Sequence, residues 1–326
     1  MANKTLVIIP TYNEVENLPL IVERVLDTPD EVDILVVDDN SPDGTGDKAD
    51  DLAAEHEEVN VLHRAGKEGL LAAYRDGFRW ALEREYAVIC QMDADGSHAP
   101  EELSRLLEEI GGGADLVIGS RYVEGGEVKN WPKSRYALSK VGNEYISVAL
   151  DTEVKDMTAG YRAFKREVLE ELDLDALSDK GYIFQVEIAH RADQAGFDVR
   201  EVPITFEDRK LGESKLDASF AAASLAEVTK WGLKDAASFV GGIASETGRQ
   251  ISRAVETSSL SKVGEKVDKA PEKIIDAAIE FGNLAKYELK SADLGKIPDA
   301  AARGVNTTLQ LADETVRQAK YAIFGK

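Results

Sequence analysis

Asp93 and Asp95, one residue apart, close an apolar run that begins at Tyr86, and Gly96-Ser-His-Ala-Pro100 follows them. Val88, Ile89 and Met92 read as a buried strand, and Pro100 with the acids behind it reads as the first turn of a helix. The two carboxylates therefore stand at the carboxyl end of a strand, which in open α/β sheets is where ligands bind. Two aspartates so placed can hold a hard divalent cation, which itself holds phosphate oxygens. The plainer alternative is an acidic turn, because Asp and Gly dominate turns for conformational reasons.

Two further apolar runs end in polar groups. Lys4–Pro10 leads into Tyr12-Asn13-Glu14, and Val32–Val37 ends at Asp38-Asp39. Carboxylates gathered at one sheet edge repel one another unless a cation or hydrogen-bond donors occupy the gap. Past Gly119 the sign changes: Arg121, Lys129, Lys133, Arg135 and Lys140 fall within twenty residues of an otherwise acidic chain. Arginine there suits bidentate recognition of phosphate; the alternative is a set of solvated surface cations. Glu207 to Lys215 is a polar, glycine-bearing loop, either a mobile lid or an ordinary connection.

The elements that position these groups alternate. Strand patterns at 4–10, 32–37, 59–63, 86–92 and 114–119 are separated by helix patterns carrying Leu18, Ile21, Val22 and Val25, then Ala49, Leu52 and Ala53, then Leu71, Tyr74, Phe78 and Leu82, then Leu103, Leu106, Leu107 and Ile110. This is the spacing of βαβ units and predicts a mostly parallel sheet with right-handed crossovers. Further on, Asp156–Phe164 reads as a strand or hairpin, Gly181–His190 as a buried helix, and Val199–Phe206 as a strand. Beyond residue 240, Ile274, Ala278, Phe281 and Ala285, and then Val305, Leu309, Ala312, Val316, Ala319 and Ile323, recur at helical spacing. They predict amphipathic helices that pack on the parent domain, lie at a membrane surface or meet a partner.

Composition narrows the function. Residues 1–240 hold 26 Lys+Arg against 49 Asp+Glu, a net of −23, and residues 241–326 hold 13 against 12, a net of +1. So acidic a body argues against nucleic-acid binding, where affinity comes mainly from neutralising phosphates. Gly44-Thr-Gly46-Asp-Lys-Ala49 matches a dinucleotide-binding pattern, but acids intervene between strand and glycine, and the next strand ends in His63-Arg64 instead of a ribose-gripping acid. The four histidines are dispersed, and the single cysteine, Cys90, allows no disulfide framework. No run is long enough to span a bilayer, and no signal-peptide pattern opens the chain. The expectation is a cytoplasmic protein with at most peripheral membrane contact.

With these residues in view, the chain resembles the polyprenol-phosphate (dolichol-phosphate) mannosyltransferases of glycosyltransferase family 2, most closely an actinobacterial-like branch. The resemblance spans about residues 4 to 235. It rests on Ile9-Pro-Thr-Tyr-Asn-Glu14, Val36-Val-Asp-Asp-Asn-Ser-Pro-Asp-Gly-Thr45, Met92-Asp-Ala-Asp-Gly-Ser-His98, Gly119-Ser-Arg-Tyr122, Thr158-Ala-Gly-Tyr-Arg162, and Asp208-Arg209 with Gly212-Glu-Ser-Lys215 in order. It implies a GT-A-type nucleotide-sugar transferase domain over 1–240, mostly parallel sheet flanked by helices, with a helical extension at 241–326.

By position, it also implies that Pro10, Tyr12, Glu14, Val37, Asp39, Asp93 and Ala94 hold the nucleotide sugar, with Mg²⁺ or Mn²⁺ on Asp93 and Asp95. Arg121, Arg135 and Ser139 would grip the acceptor phosphate, and Lys180, Arg209 and Lys215 would close over the donor. Asp95, Arg121 and Arg209 would carry the chemistry. Archaeal members have a further metal-ligating Gln where this chain has Ser97, whose side chain reaches less far. The implied reaction is inverting transfer of mannose from GDP-mannose to a polyprenyl monophosphate at the inner face of the plasma membrane, without a transmembrane segment here and with an integral-membrane partner as one option for the tail. Transfer from UDP-glucose is the nearest alternative, and a non-catalytic scaffold keeping the fold is the alternative of another class.

Overall fold

The computed structural model describes residues 4–178 and 183–208, together with Val228 and Trp231. In chain order the elements are β1 (Lys4–Thr11), α1 (Leu18–Leu26), β2 (Val32–Asp38), α2 (Thr45–Glu55), β3 (Val59–His63), α3 (Leu70–Leu82), β4 (Tyr86–Gln91), α4 (Leu103–Gly111), β5 (Leu116–Ser120), β6 (Glu127–Lys129), α5 (Lys133–Ala149), β7 (Arg162–Lys165), α6 (Arg166–Glu171), α7 (Ile183–Gln194), β8 (Val199–Pro203) and β9 (Thr205–Glu207). Backbone contacts divide the chain into two compact units, 1–131 with 154–214, and 132–153 with 215–326. The first contains the sheet; of the second, α5 is the described element. The helices expected beyond residue 240 and the loop from Arg209 lie outside the described residues.

The main sheet has the order β3-β2-β1-β4-β7-β5-β8. All its neighbours run parallel except β7, which is antiparallel to both β4 and β5. The stretch 156–164 is thus a loop followed by a short inserted strand and not a hairpin. The strand expected at 199–206 is divided between β8 in this sheet and β9, which pairs with β6 in a two-stranded one.

Alternation of side chains sends Val7, Ile9, Val36, Val88, Cys90, Met92 and Ala163 to one face, where they pack with Leu18, Ile21 and Val22 of α1 and Leu103, Leu106 and Ile110 of α4. On the opposite face α3 lies flush on β1. A Cβ on Gly77 would come within 2.8 Å of Ile8 Cγ2, so only glycine allows that approach. Tyr74 and Phe78 of α3 stack at 6.0 Å and meet Phe184 and Phe164 at 6.2 and 5.7 Å, closing this second layer.

β2, β1 and β4 are parallel and adjacent. Their carboxyl ends therefore lie together, and Tyr12–Glu14, Asp38–Asp39 and Asp93–Asp95 emerge side by side at one edge of the sheet.

Candidate active site

The β1 and β2 ends are locked together. Asp39 N–H donates to the Thr11 carbonyl at 3.1 Å, and the Asp38 carboxylate accepts from the hydroxyls of Thr11 at 3.2 Å and Ser41 at 2.6 Å. Asn13 and Asn40 turn the chain just beyond the strands at φ 59° and 56°, a left-handed conformation that asparagine tolerates better than most residues. Asp43 holds the Asn13–Val15 loop through Val15 N–H and receives Thr45 N–H and hydroxyl. Burial alone would raise its pKa, but these donors outweigh it and keep the carboxyl below its ordinary range. Glu14 N–H donates to Thr45 Oγ1 at 2.9 Å, and its carboxylate accepts from Asn17 at 2.7 Å.

Asp39 is 5% exposed and is paired with Arg64, whose guanidinium also donates to Asp76 at 2.7 Å and Glu68 at 2.8 Å. Burial raises the Asp39 pKa although Arg64 opposes it. Tyr12 carries the Lys67 ammonium over its ring at 3.9 Å. Pro10 is half-buried at the edge, and Val37 is fully buried, so its side chain is core.

Beyond β4, Asp95 Oδ1 accepts the N–H of Ser97 at 3.0 Å and its hydroxyl at 2.6 Å. Gly96 turns the chain at φ 74°. Asp93 N–H donates to His98 Nδ1 at 3.1 Å, which leaves the proton of a neutral His98 on Nε2, 3.9 Å from Asp93 Oδ2. Tyr74 donates to the other Asp93 oxygen at 3.4 Å. His98 is buried and stacked on Tyr161 at 5.1 Å, so the turn has a rigid floor. Ala94 is buried, whereas Asp93 and Asp95 are partly exposed.

No cluster of three acidic, His or Cys ligands exists among the described residues. Two carboxylates still suit a hard cation that keeps waters or takes phosphate oxygens as its other ligands. Ser97 donates its hydroxyl proton to Asp95 and is itself 3% exposed, an arrangement that orients the carboxylate.

The basic end of β5 is more enclosed than its sequence suggests. Arg121 is 9% exposed, with Nε and Nη2 on the Asp156 carboxylate at 2.7 and 2.6 Å and Nη2 also on Thr158 at 2.9 Å. Trp131, Phe206 and Tyr122 rings lie within 5.6, 5.5 and 5.2 Å of it. Burial would lower its pKa, but Asp156 more than compensates and raises it. Gly126 lets the following loop return to this point, since a Cβ there would sit 2.8 Å from the Arg121 backbone. Arg162, fully buried, donates to the carbonyls of Ala159, Gln185 and Met157 at 2.7–2.8 Å and so pins the 156–160 turn.

Among the residues singled out from sequence, Pro10, Tyr12, Glu14, Val37, Asp39, Asp93, Ala94 and Asp95 share the edge formed by β2, β1 and β4. Arg121 follows β5 in the same unit. Arg135 and Ser139 stand four residues apart on α5, hence on one helix face. Lys180, Arg209 and Lys215 lie outside the described residues. Sequence reasoning missed Arg64 and Asp156. Arg64 had a signal, because it immediately follows β3, whose last residue pairs in register with Asp38.

A family model described as glycosyl transferase family 2 matches residues 6–173. The chain is 57% identical over 232 residues to a polyprenol monophosphomannose synthase of Mycolicibacterium smegmatis, covering 71% of this chain and 88% of the relative. It is 54% identical over 230 residues to an undecaprenyl-phosphate mannosyltransferase of Micrococcus luteus, covering 71% and 94%. Among solved structures, glucosyl-3-phosphoglycerate synthase of Mycobacterium tuberculosis, in complex with Mn²⁺, UDP and glucosyl-3-phosphoglycerate, superposes with a TM-score of 0.53 at 17% identity, covering 69% of this chain and 78% of that one. That likeness concerns the fold.

Proposed function

The chain belongs to glycosyl transferase family 2, and we propose that it transfers mannose from GDP-mannose to a polyprenyl monophosphate with inversion at the sugar carbon. The observation that carries the reading is the shared edge of β2, β1 and β4, which gathers Asp39, Asp93 and Asp95 beside Tyr12 and Glu14. The named relatives, similar over about seven-tenths of the chain, supply the substrate class.

A phosphate monoester is largely dianionic near neutral pH, its second pKa being about 6, so the acceptor is already a nucleophile. One of its oxygens attacks the anomeric carbon, the bond to the diphosphate breaks with its electron pair, and GDP leaves. No proton needs to move, so the reaction requires no dedicated base.

The protein's task is then to position the acceptor in line and to stabilise charge on the leaving diphosphate. Asp93 and Asp95 would hold Mg²⁺ or Mn²⁺, which when bound neutralises part of that charge. Asp39, fixed by Arg64, offers a carboxylate to the nucleoside with Pro10, Tyr12 and Glu14 around it. Arg121 is assigned to the acceptor phosphate through Nη1, the nitrogen that Asp156 and Thr158 do not engage, and Arg135 and Ser139 are assigned to the same phosphate. Lys180, Arg209 and Lys215 are assigned to closing over the donor.

No helix among the described residues is long and apolar enough to cross a membrane. Contact with a bilayer-held acceptor is assigned to a peripheral mode at the cytoplasmic face, and residues 241–326 are assigned as a surface for lipid or an integral-membrane partner. Purified protein incubated with radiolabelled GDP-mannose, a short polyprenyl phosphate and Mg²⁺ should pass label into the lipid phase. Label entering only from UDP-glucose would refute the mannose assignment, and none from either would refute transferase activity.

A further inference from the structure

After Pro203 the chain leaves the main sheet, and the residues that follow are tied in turn to the two sides of the site. Ile204 N–H donates to the Ser120 carbonyl at 3.0 Å and Asp208 N–H to the Lys129 carbonyl at 3.3 Å, both on the segment that carries Arg121. Between them, Thr205 N–H donates to the Glu102 carboxylate at 3.0 Å and Glu207 N–H to the Ser97 carbonyl at 3.3 Å, on the segment that carries Asp93 and Asp95. Residues 204–208 thus form a seam between the acidic and the basic segments.

Phe206 stands in the middle of that seam. Its ring meets His98 edge to face at 5.7 Å and Trp131 at 5.4 Å, and the Arg121 guanidinium carbon lies 5.5 Å from its centre. The backbones of His98 and Phe206 bridge as well. His98 accepts the Asp93 N–H, and Ser97 donates to Asp95. The ring therefore touches the support of the two aspartates on one side and the arginine on the other. Asp156 fixes the guanidinium to the 156–160 turn, whereas Phe206 sets it against the Asp93–His98 turn.

We propose that Phe206 is a positioning residue for the transfer, its ring setting the separation between Arg121 and the Asp93–His98 turn. This role rests on the reading that Arg121 takes the acceptor phosphate and that Asp93 and Asp95 hold the donor diphosphate. Displacement at the anomeric carbon requires the attacking oxygen to stand in line with the breaking bond, and a misplacement of about 1 Å can cost roughly a hundredfold in rate. Each substrate is held by its own side, so a changed separation lowers kcat and leaves the separate affinities in place. A ring that served packing alone would lower the melting temperature and the folded fraction when removed, without changing turnover per folded site.

GDP binding is measured by calorimetry with Mn²⁺ present, followed by steady-state kinetics with GDP-mannose and a short polyprenyl phosphate, in the full-length wild type, Phe206→Leu and Phe206→Tyr. Rates are expressed per GDP-binding site, so that unfolded protein does not count. Phe206→Leu should lower kcat per site about tenfold or more, with GDP affinity and both KM values within about twofold of the wild type. Phe206→Tyr keeps the ring and should hold kcat per site within about threefold of the wild type. A Leu variant whose kcat per site stays within about twofold, a loss carried by either KM, a Tyr variant as slow as the Leu variant, or failure of both variants to melt cooperatively would overturn the role while wild-type transfer left the parent reading standing. A wild type that transfers no mannose would overturn the parent reading and this one with it.

Discussion

Arg121 and Asp156 form a buried two-point ion pair, at 2.7 Å through Nε and 2.6 Å through Nη2, with the Asp156 side chain fully shielded from solvent. Glu201 braces the same turn by accepting the N–H groups of Lys155 and Asp156 at 2.7 and 2.9 Å. Removing one partner strands a buried charge, so Asp156→Ala should lower the unfolding free energy by roughly 3–5 kcal/mol. Chemical denaturation measures this, and a change below about 1 kcal/mol would mean the pair is solvated in solution.

Arg64 should act on Asp39 as Asp156 acts on Arg121. Arg64→Met leaves a buried carboxylate with a lost partner and should destabilise the fold by about 1–3 kcal/mol near neutral pH. Burial already raises the Asp39 pKa, so the native state takes up its proton more readily than the unfolded chain does. The cost of Asp39 to stability is therefore present above its native pKa and relieved as pH falls through it. Loss of Arg64 pushes that pKa further up, and the stability deficit of the variant should shrink on acidification from neutral pH. A deficit independent of pH would contradict the pairing.

For the cation, Asp95→Asn is the informative change, because the amide keeps an oxygen to accept Ser97 while losing the charge. Turnover should fall at least about a hundredfold, with the melting temperature near that of the wild type. EDTA should abolish wild-type activity and added Mg²⁺ or Mn²⁺ restore it. Undiminished activity in either experiment would return Asp93-Ala-Asp95 to the status of an acidic turn.

For the acceptor, Arg135→Ala should raise the apparent KM for polyprenyl phosphate roughly tenfold or more and leave that for the donor unchanged. Arg135→Lys should restore little, since the planar fork is lost. A change confined to the donor's KM would place Arg135 elsewhere.

Much of this site is legible in the sequence alone, and the reason is physical. β1, β2 and β4 are buried parallel strands, so each carries an apolar run, Leu6–Pro10, Ile34–Val37 and Ala87–Cys90, that gives way to polar groups at Tyr12, Asp38 and Asp93. What stays hidden depends on non-local pairing. β7 is four residues long, and nothing in Arg162–Lys165 announces its insertion between β4 and β5. The partner of Arg121 lies thirty-five residues away, which lets the arginine pass as an open phosphate ligand. Gln185 sits in a helix that is buried along most of its length, so its pattern describes a core and conceals a buried amide.

The central claim is that the acceptor phosphate itself displaces GDP from mannose. The most direct measurement is NMR of the product made from GDP-mannose and a short polyprenyl phosphate. It should show a mannosyl phosphodiester, with the anomeric proton coupled to phosphorus and its configuration inverted from the α donor to β. An α-linked product, or mannose released to water with the acceptor phosphate unmodified, would contradict the account.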